Sequence, residues 1–267
     1  MKSIINRILI TGGTGHLGEK VANSLKSKGY KVAILSTKTI SPGKGDNTAY
    51  FTGNLAENIG LKEASNNVDI IIHCASNPRN FKQVDIEGTK NLLKAIDIPT
   101  LKHFVYISIV GIDKSDYPYY QAKLEVEDLI SNSGFPYTIV RTTQFHNFVV
   151  NMIQGFINES TDNESVLKIP NGLKFQSIST QEVAELLARV SLESPKGLLP
   201  DFGGPEVLSF EKMTECYLKE YEPSRKIQTE VTNDIRHRLF RSGVNLCPNN
   251  VFGKETWNMF IKAGNHK

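Results

Sequence analysis

The sequence predicts an α/β fold, a doubly wound parallel sheet followed by a smaller C-terminal α/β part. Three observations carry that expectation. First, the apolar run Ile8-Leu9-Ile10 enters a glycine turn, Thr11-Gly12-Gly13-Thr14-Gly15-His16-Leu17-Gly18, and then a segment with Leu17, Val21 and Leu25 at helical spacing. This is how a βαβ unit begins. Second, VDIIIHC at 68–74 and FVYIS at 104–108 are continuous apolar stretches, as strands buried on both faces should be. Third, apolar runs alternate with amphipathic ones through the first half of the chain, which calls for helices on both faces of a parallel sheet.

The glycine turn has a physical reading. Gly12, Gly15 and Gly18 allow a sharp turn, a close backbone approach to a pyrophosphate and tight helix–strand packing. The phosphates then meet free N–H groups and the positive end of a helix dipole. Gly12, Thr14, Gly15, His16, Leu17 and Gly18 are therefore expected contacts of a bound dinucleotide, with its pyrophosphate over Gly15 to Leu17. The length of 267 residues suits one large domain or a main domain with an annex. We expect a dinucleotide-binding core over 1–150, completed by the helix at about 180–192, and a small substrate-binding part over 151–267.

The remaining elements follow in order. Glu19 to Ser27 reads as the first helix, closed by Gly29, and Tyr30 to Leu35 as the second strand. The strand ends in Ser36-Thr37-Lys38, where an acidic residue would bond the 2′-hydroxyl of NAD. Hydroxyls and an ammonium suit a 2′-phosphate better, so NADP(H) is favoured over NAD(H), with Ser36, Thr37 and Lys38 as its contacts. Ile40 to Asn47 is rich in Ser, Pro and Gly and reads as a loop. Tyr50 to Thr52 is a short strand, and Asn54 and Leu55 after it are expected at the adenine. Ile59 to Ser65 reads as a helix. The strand at Val68 to Cys74 holds His73, expected as a packed core histidine. It ends in Cys74-Ala75-Ser76-Asn77, small residues that let a cofactor cross its carboxyl end. Phe81 to Ile96 reads as a helix with Val84, Gly88, Leu92 and Ala95 inward. In the second half, Thr180 to Leu192 and Phe210 to Leu218 read as helices, and Trp257, Met259 and Phe260 as packing residues.

Bulk properties exclude several classes. The net charge is +3 with scattered basic residues, 39% of residues are hydrophobic and 22% charged. No basic tract marks a nucleic-acid surface, and no window approaches the ~20 apolar residues of a membrane span. Ile4 to Ile10 runs straight into the glycine turn, so no signal peptide is expected. Cys74, Cys216 and Cys247 are far apart and odd in number, without metal-ligand spacing. We read them as packing residues of a cytoplasmic protein, monomer or homodimer, that works on a small molecule without metal, nucleic acid or membrane.

The chemistry-bearing pair is Tyr119 and Lys123 in YYQAK. Residues at i and i+4 share a helix face, and an ammonium near a phenol favours the phenolate. Tyr119 is then a candidate proton carrier for a substrate carbonyl or hydroxyl, Lys123 a second contact for the nicotinamide ribose, and Ser108, at the end of FVYIS, a hydroxyl for the substrate oxygen. The bland alternative is a solvated helix face.

The motifs TGGTGHLG at 11–18, VDIEGTKNLL at 84–93, LKHFVYIS at 101–108, YYQAK at 119–123, TIVRTTQFHNF at 138–148 and GGPEVLSFEKM at 203–213 together resemble an atypical short-chain dehydrogenase/reductase of the NmrA-like, NAD(P)-binding group. The resemblance spans nearly the whole chain. It implies a Rossmann-like sheet, a C-terminal annex over the nicotinamide end, and contacts from Thr142, Gln144 and Phe145 near the nicotinamide. It also implies either a small-molecule reductase or a redox-sensing regulator. Three positions depart from the group: Thr37 stands where relatives often carry arginine, Ile109 where many have a second serine, and Arg141-Thr142-Thr143 where Arg-Pro-Thr is common. The leading expectation is an NAD(P)H-dependent oxidoreductase acting on a small carbonyl or quinone-like substrate, in a pocket lined by Asn77, His146, Asn147, Phe148 and Met152. A non-catalytic NAD(P) sensor is the alternative. A nucleotide-sugar epimerase or dehydratase is a third reading, opposed by the short segment after Val150.

Overall fold

The computed structural model describes residues 7–41, 48–96, 101–160 and 165–264. Most of the loop expected at Ile40 to Asn47 therefore lies outside the described residues. The first half runs β1 (Ile8–Thr11), α1 (His16–Lys26), β2 (Val32–Ser36), β3 (Ala49–Thr52), α2 (Leu61–Ser65), β4 (Ile70–His73), a π-helical turn (Lys82–Glu87), α3 (Gly88–Ala95), β5 (His103–Ile109), α4 (Pro118–Ser131) and β6 (Tyr137–Thr142). The second runs α5 (His146–Glu159), β7 (Val166–Pro170), β8 (Lys174–Phe175), α6 (Thr180–Ser191), β9 (Gly197–Leu198), β10 (Leu208–Ser209), α7 (Phe210–Tyr221), β11 (Lys226–Glu230), α8 (Ile235–Ser242) and α9 (Trp257–Ala263).

Seven strands form one sheet in the order β3-β2-β1-β4-β5-β6-β9. Ile8 pairs in parallel with Val32 on one side and Ile70 on the other. The chain thus winds outward from β1 in both directions, and the order reverses between β1 and β4. In open α/β sheets ligands bind at that reversal, beyond the carboxyl ends of the strands.

The inner strands of the seven-stranded sheet are largely apolar because both faces are covered. Leu9, Ile71, Phe104, Tyr106 and Ile139 pack with Leu61 and Ala64 of α2, Leu92 of α3, and Val126 and Ile130 of α4. The alternate residues Ile8, Ile10, Ile34, Ile70 and Ile72 are also buried. Each such side chain contributes about 1.5–3 kcal/mol on transfer from water.

The described residues fall into two compact units. The first comprises those of Met1–Ser108, Pro118–Val140 and Gln181–Leu199, the second those of Ile109–Tyr117, Arg141–Thr180 and Pro200–Lys267. Within the second, β7 pairs in parallel with β11 and β8 antiparallel with β10. Its core is aromatic: Phe175 lies 4.6 Å from Phe240 and 5.9 Å from Phe210, ring centre to ring centre. Ser209, Asp234 and Thr256 accept backbone N–H bonds at the starts of α7, α8 and α9. Trp257 and Phe260 are buried as expected, and the indole N–H donates to the Met213 carbonyl. Met259 is 57% exposed, a correction. The buried face of α9 is Trp257, Phe260 and Ile261, and Met259 lies off it.

Candidate functional site

The glycine turn is built as its composition demands. Gly12 has φ +66°, and a Cβ there would meet the Ala75 backbone at 2.8 Å. A Cβ on Gly18 would run into the Gly12 carbonyl oxygen. The Gly15 N–H closes the turn onto Gly12 O at 2.9 Å. Helix α1 then starts at His16 with Gly15 as its N-cap and no side-chain cap bond. An anion there would meet backbone N–H groups and the positive end of the helix dipole.

A cleft of about 350 Å³ opens beside this turn. Its lining includes Gly12, Thr14 and Gly15 from the turn, Ser36 and Thr37 from the end of β2, Asn54 and Leu55 after β3, and Cys74, Ala75, Ser76 and Asn77 after β4. All of these are residues that the sequence singles out. Leu35, Gly53 and Val84 complete the wall and were missed. Gly53 carried a signal: a Cβ there would meet the Ile59 carbonyl at 2.5 Å. Backbone N–H groups after β1, flanked by hydroxyls at the end of β2 and small residues after β4, fit an extended dinucleotide. Among Ser36 to Ser41 there is no carboxylate. Thr37 and Lys38 are exposed there, and Ser36 accepts the Lys38 N–H at 3.0 Å. Asn54 gives its carboxamide oxygen to Ala56 N–H at 3.0 Å, so any adenine bond falls to its amide. His16, Leu17, Gly18 and Lys38 are outside the cleft wall itself. Burial pushes the Cys74 thiol up to about 12, which leaves it neutral.

At the β4 end the wall meets side-chain chemistry. Tyr119 Oη lies 2.8 Å from Ser76 Oγ, and Ser76 donates to Asp85 Oδ1 at 2.6 Å. Asp85 comes from the π-helical turn. It is 1% exposed and also accepts the Asn77 N–H at 3.0 Å.

Below it runs a second chain of bonds. The Ala75 N–H donates to Thr11 Oγ1 at 3.3 Å, and Thr11 lies 2.6 Å from His73 Nδ1. His73 Nε2 lies 3.0 Å from Thr89 Oγ1, which donates to the Asp85 carbonyl. With the Thr89 hydrogen so used, His73 Nε2 carries the imidazole proton and Nδ1 accepts from Thr11. Burial, with Lys123 adding to it, holds His73 down at about 3. His73 is thus a neutral core residue that ties β1, β4 and α3 together.

Lys123 departs from expectation. It shares α4 with Tyr119 but is 3% exposed. Its ammonium donates to the Ile107 carbonyl at 3.0 Å and sits 4.2 Å from the centre of the Tyr106 ring. Burial lowers its pKa, opposed by Asp85, Glu127 and Cys74. As described, the ammonium faces the interior, and Lys123 is absent from the cleft wall. Ser108 is 2% exposed, and its Oγ is among the buried side-chain oxygens without a hydrogen-bond partner.

The remaining predicted residues belong to the second unit. Thr142 ends β6, and its carbonyl accepts the Val110 N–H at 3.0 Å. Gln144 accepts from Asn245 at 3.0 Å through its carboxamide oxygen. Phe145 is the N-cap of α5. His146 does not line an open pocket. It is 1% exposed, with Nδ1 on Ser177 Oγ and Nε2 on the Glu255 carbonyl, and its ring packs on Phe260 at 4.8 Å. Burial lowers it to about 4. Asn147 accepts from Thr180 Oγ1, Phe148 is half-buried against Phe175 and Phe240, and Met152 is buried.

A parallel sheet with a glycine turn and an elongated cleft at its order reversal defines a Rossmann-like dinucleotide-binding protein. Residues 12–194 match the NAD(P)H-binding family, and the chain belongs to it. That agrees with the NmrA-like short-chain dehydrogenase/reductase resemblance. The chain is 28% identical over 196 residues to Photosystem II assembly factor Ycf39 of Synechocystis, covering 70% of this chain and 59% of that one. It is 28% identical over 226 residues to the chloroplastic divinyl chlorophyllide a 8-vinyl-reductase of Arabidopsis thaliana, covering 74% and 53%. It therefore spans little more than half the length of either relative. Among solved structures, the NADPH-dependent quinone oxidoreductase QOR2 of Escherichia coli with NADPH matches with a TM-score of 0.78 at 16% identity, over 97% of this chain and 99% of that one. At that identity the likeness is one of fold. Among the described residues no helix is long and apolar enough to cross a membrane, and no cluster of His, Cys, Asp or Glu could hold a metal ion.

Proposed function

We propose that this chain is an NADPH-preferring oxidoreductase that reduces a small carbonyl or quinone-like substrate. The observation that carries the reading is the 2.8 Å bond between Tyr119 and Ser76, because Ser76 lines the same cleft as the glycine turn. The bound nicotinamide supplies hydride. Tyr119 supplies the proton at the substrate oxygen. Ser108 offers an unpartnered hydroxyl to the same oxygen. Lys123 acts through the field of its ammonium rather than through a ribose contact. Ser36, Thr37 and Lys38 receive the 2′-phosphate. Residues 1–150, with the helix near 180–192, hold the cofactor, and 151–267 select the substrate. The likeness to a quinone oxidoreductase and to a vinyl reductase supports a flat, conjugated substrate.

The test is NADPH and NADH oxidation against a panel of quinones, aldehydes and ketones. We expect turnover with at least one quinone and a roughly hundredfold loss in Tyr119→Phe. Wild-type turnover in that variant removes Tyr119 from the chemistry. A second reading, a redox-sensing regulator without turnover, is favoured by one observation: the Lys123 ammonium is spent on Ile107 and Tyr106. Calorimetry separates the two. A sensor binds oxidised and reduced cofactor with different affinities while the whole panel stays unreduced.

A further inference from the structure

Asp85 is a buried carboxylate that neither the glycine turn nor the Tyr119–Lys123 pair accounts for. Carboxylates are almost never so buried unless they are paired. Both of its oxygens are in use: Oδ1 accepts the Ser76 hydroxyl at 2.6 Å and Oδ2 accepts the Asn77 N–H at 3.0 Å. The Ser76 hydroxyl has one hydrogen, and it lies on Asp85. In the 2.8 Å contact between Ser76 and Tyr119, the tyrosine must therefore be the donor.

We propose that Asp85 is a positioning residue which, through Ser76, fixes the direction of the Tyr119 O–H bond and holds the phenol in its protonated form. For its catalytic meaning this rests on the proposed reduction. For its geometry it rests on three hydrogen bonds alone. Ionising Tyr119 would break the chain at its first link and bring a second negative charge toward Asp85. Other groups face this cluster. Tyr106 on β5 interacts with Asp85, Tyr119 and Glu127, Lys123 on α4 with Asp85, Glu127 and Cys74, and His73 on β4 with Lys123. Lys123 is the one cation among these, and Asp85 and Glu127 favour its charged form.

The Asn77 N–H decides what Asp85→Asn does. It needs an acceptor, so the new amide turns its oxygen to Asn77 and its NH₂ to Ser76. Ser76 then accepts from the amide and turns its own hydrogen to Tyr119. The chain reverses and the carboxylate charge is gone, and both changes favour the phenolate.

The experiment is an ultraviolet titration of tyrosinate absorbance. The chain has nine tyrosines, so the Tyr119 step is isolated by subtracting Tyr119→Phe in each background. Asp85→Asn should lower the midpoint of that step by about one pH unit or more. Ser76→Ala should lower it by less, and Asp85→Asn added to Ser76→Ala should move it little further. An unmoved midpoint in Asp85→Asn overturns the proposal. An equal Asp85→Asn shift with and without Ser76 overturns the route through Ser76. If Asp85→Asn does not fold, Ser76→Ala on its exposed loop carries the test, and an unmoved midpoint there overturns it. The titration needs no substrate, so it stands even if Tyr119→Phe turns over at the wild-type rate and the proposed reduction falls.

Discussion

At the end of β1, Gly12, Gly15 and Gly18 present only backbone, held by a φ of +66° at Gly12 and, at Gly12 and Gly18, by spaces that no Cβ could enter. At the end of β4, Ser76 lines the cleft and is joined within 2.8 Å to the Asp85 carboxylate and the Tyr119 hydroxyl. The first end recognises by shape and fixed N–H dipoles, which no accessible pH alters. The second works by where single protons lie, so it answers to charge and to substitutions that keep the shape. Affinity and chemistry should therefore separate along the cleft.

The largest effect we expect is at the side-chain end. Tyr119→Phe removes one oxygen and should lower turnover roughly a hundredfold while leaving NADPH affinity within about twofold. Kinetics and calorimetry on one preparation check both. A matching loss of affinity would mean that the two ends do not divide the work. Gly12→Ala attacks the other end. A non-glycine residue at that φ costs about 1–2 kcal/mol, before the approach to Ala75 is relieved. NADPH affinity should fall at least tenfold with a lower unfolding midpoint. Tight binding in a folded Gly12→Ala protein would show that the backbone cradle is not the phosphate site.

The two ends also differ in how far the sequence reveals them. A glycine encodes its own constraint, so the turn, and the apolar strands behind it, were legible before any coordinates. The cleft wall followed, because small residues after β4 and hydroxyls after β2 sit at positions that the alternation already defines. Asp85 was not legible. A regular helical period over Phe81 to Ile96 puts Val84, Gly88, Leu92 and Ala95 inward, and Gly88 and Leu92 are buried, but the π-helical turn at Lys82–Glu87 also buries Asp85 and leaves Val84 half-buried. The i, i+4 spacing placed Lys123 on the right helix. It was silent about the Ile107 carbonyl that holds the ammonium, since backbone acceptors leave no trace in a pattern of side chains. His146 failed for a related reason: its partners Ser177 and Glu255 are 31 and 109 residues away. The two-residue strands β8, β9 and β10 are too short for any periodicity to register.

His73 links the two ends, and its titration gives the next effect. It is neutral in the fold, at about 3, against an ordinary value near 6.5 when unfolded. Below pH 6.5 the unfolded chain takes up a proton that the native one refuses. Stability therefore falls as pH falls, by about 1.4 kcal/mol at pH 5.5 from this residue. His146, at about 4, adds a similar slope in the second unit. Denaturant unfolding at pH 7.5 and 5.5 should show the loss, and His73→Gln should show less of it. Equal stability at both pH values would mean that His73 is not held neutral.

The smallest effect belongs to cofactor choice, and it sharpens the comparison from within the backbone end. Beyond β2 the groups proposed for the 2′-phosphate are Thr37, in the cleft wall, and Lys38, next to it in sequence, both exposed. An exposed charge interacting with a 2′-phosphate is screened by water and salt, and such pairs are worth about 0.2–1 kcal/mol. Lys38→Ala should therefore weaken NADPH binding by no more than about fivefold, leave NADH unchanged, and lose its effect as salt rises. Thr37→Asp should act in the opposite sense on the two cofactors, repelling the 2′-phosphate and offering the 2′-hydroxyl an acceptor. Paired NADPH and NADH titrations on both variants decide the matter. If Lys38→Ala weakens the two cofactors alike, the ammonium serves the shared pyrophosphate and the proposed NADPH preference loses this support.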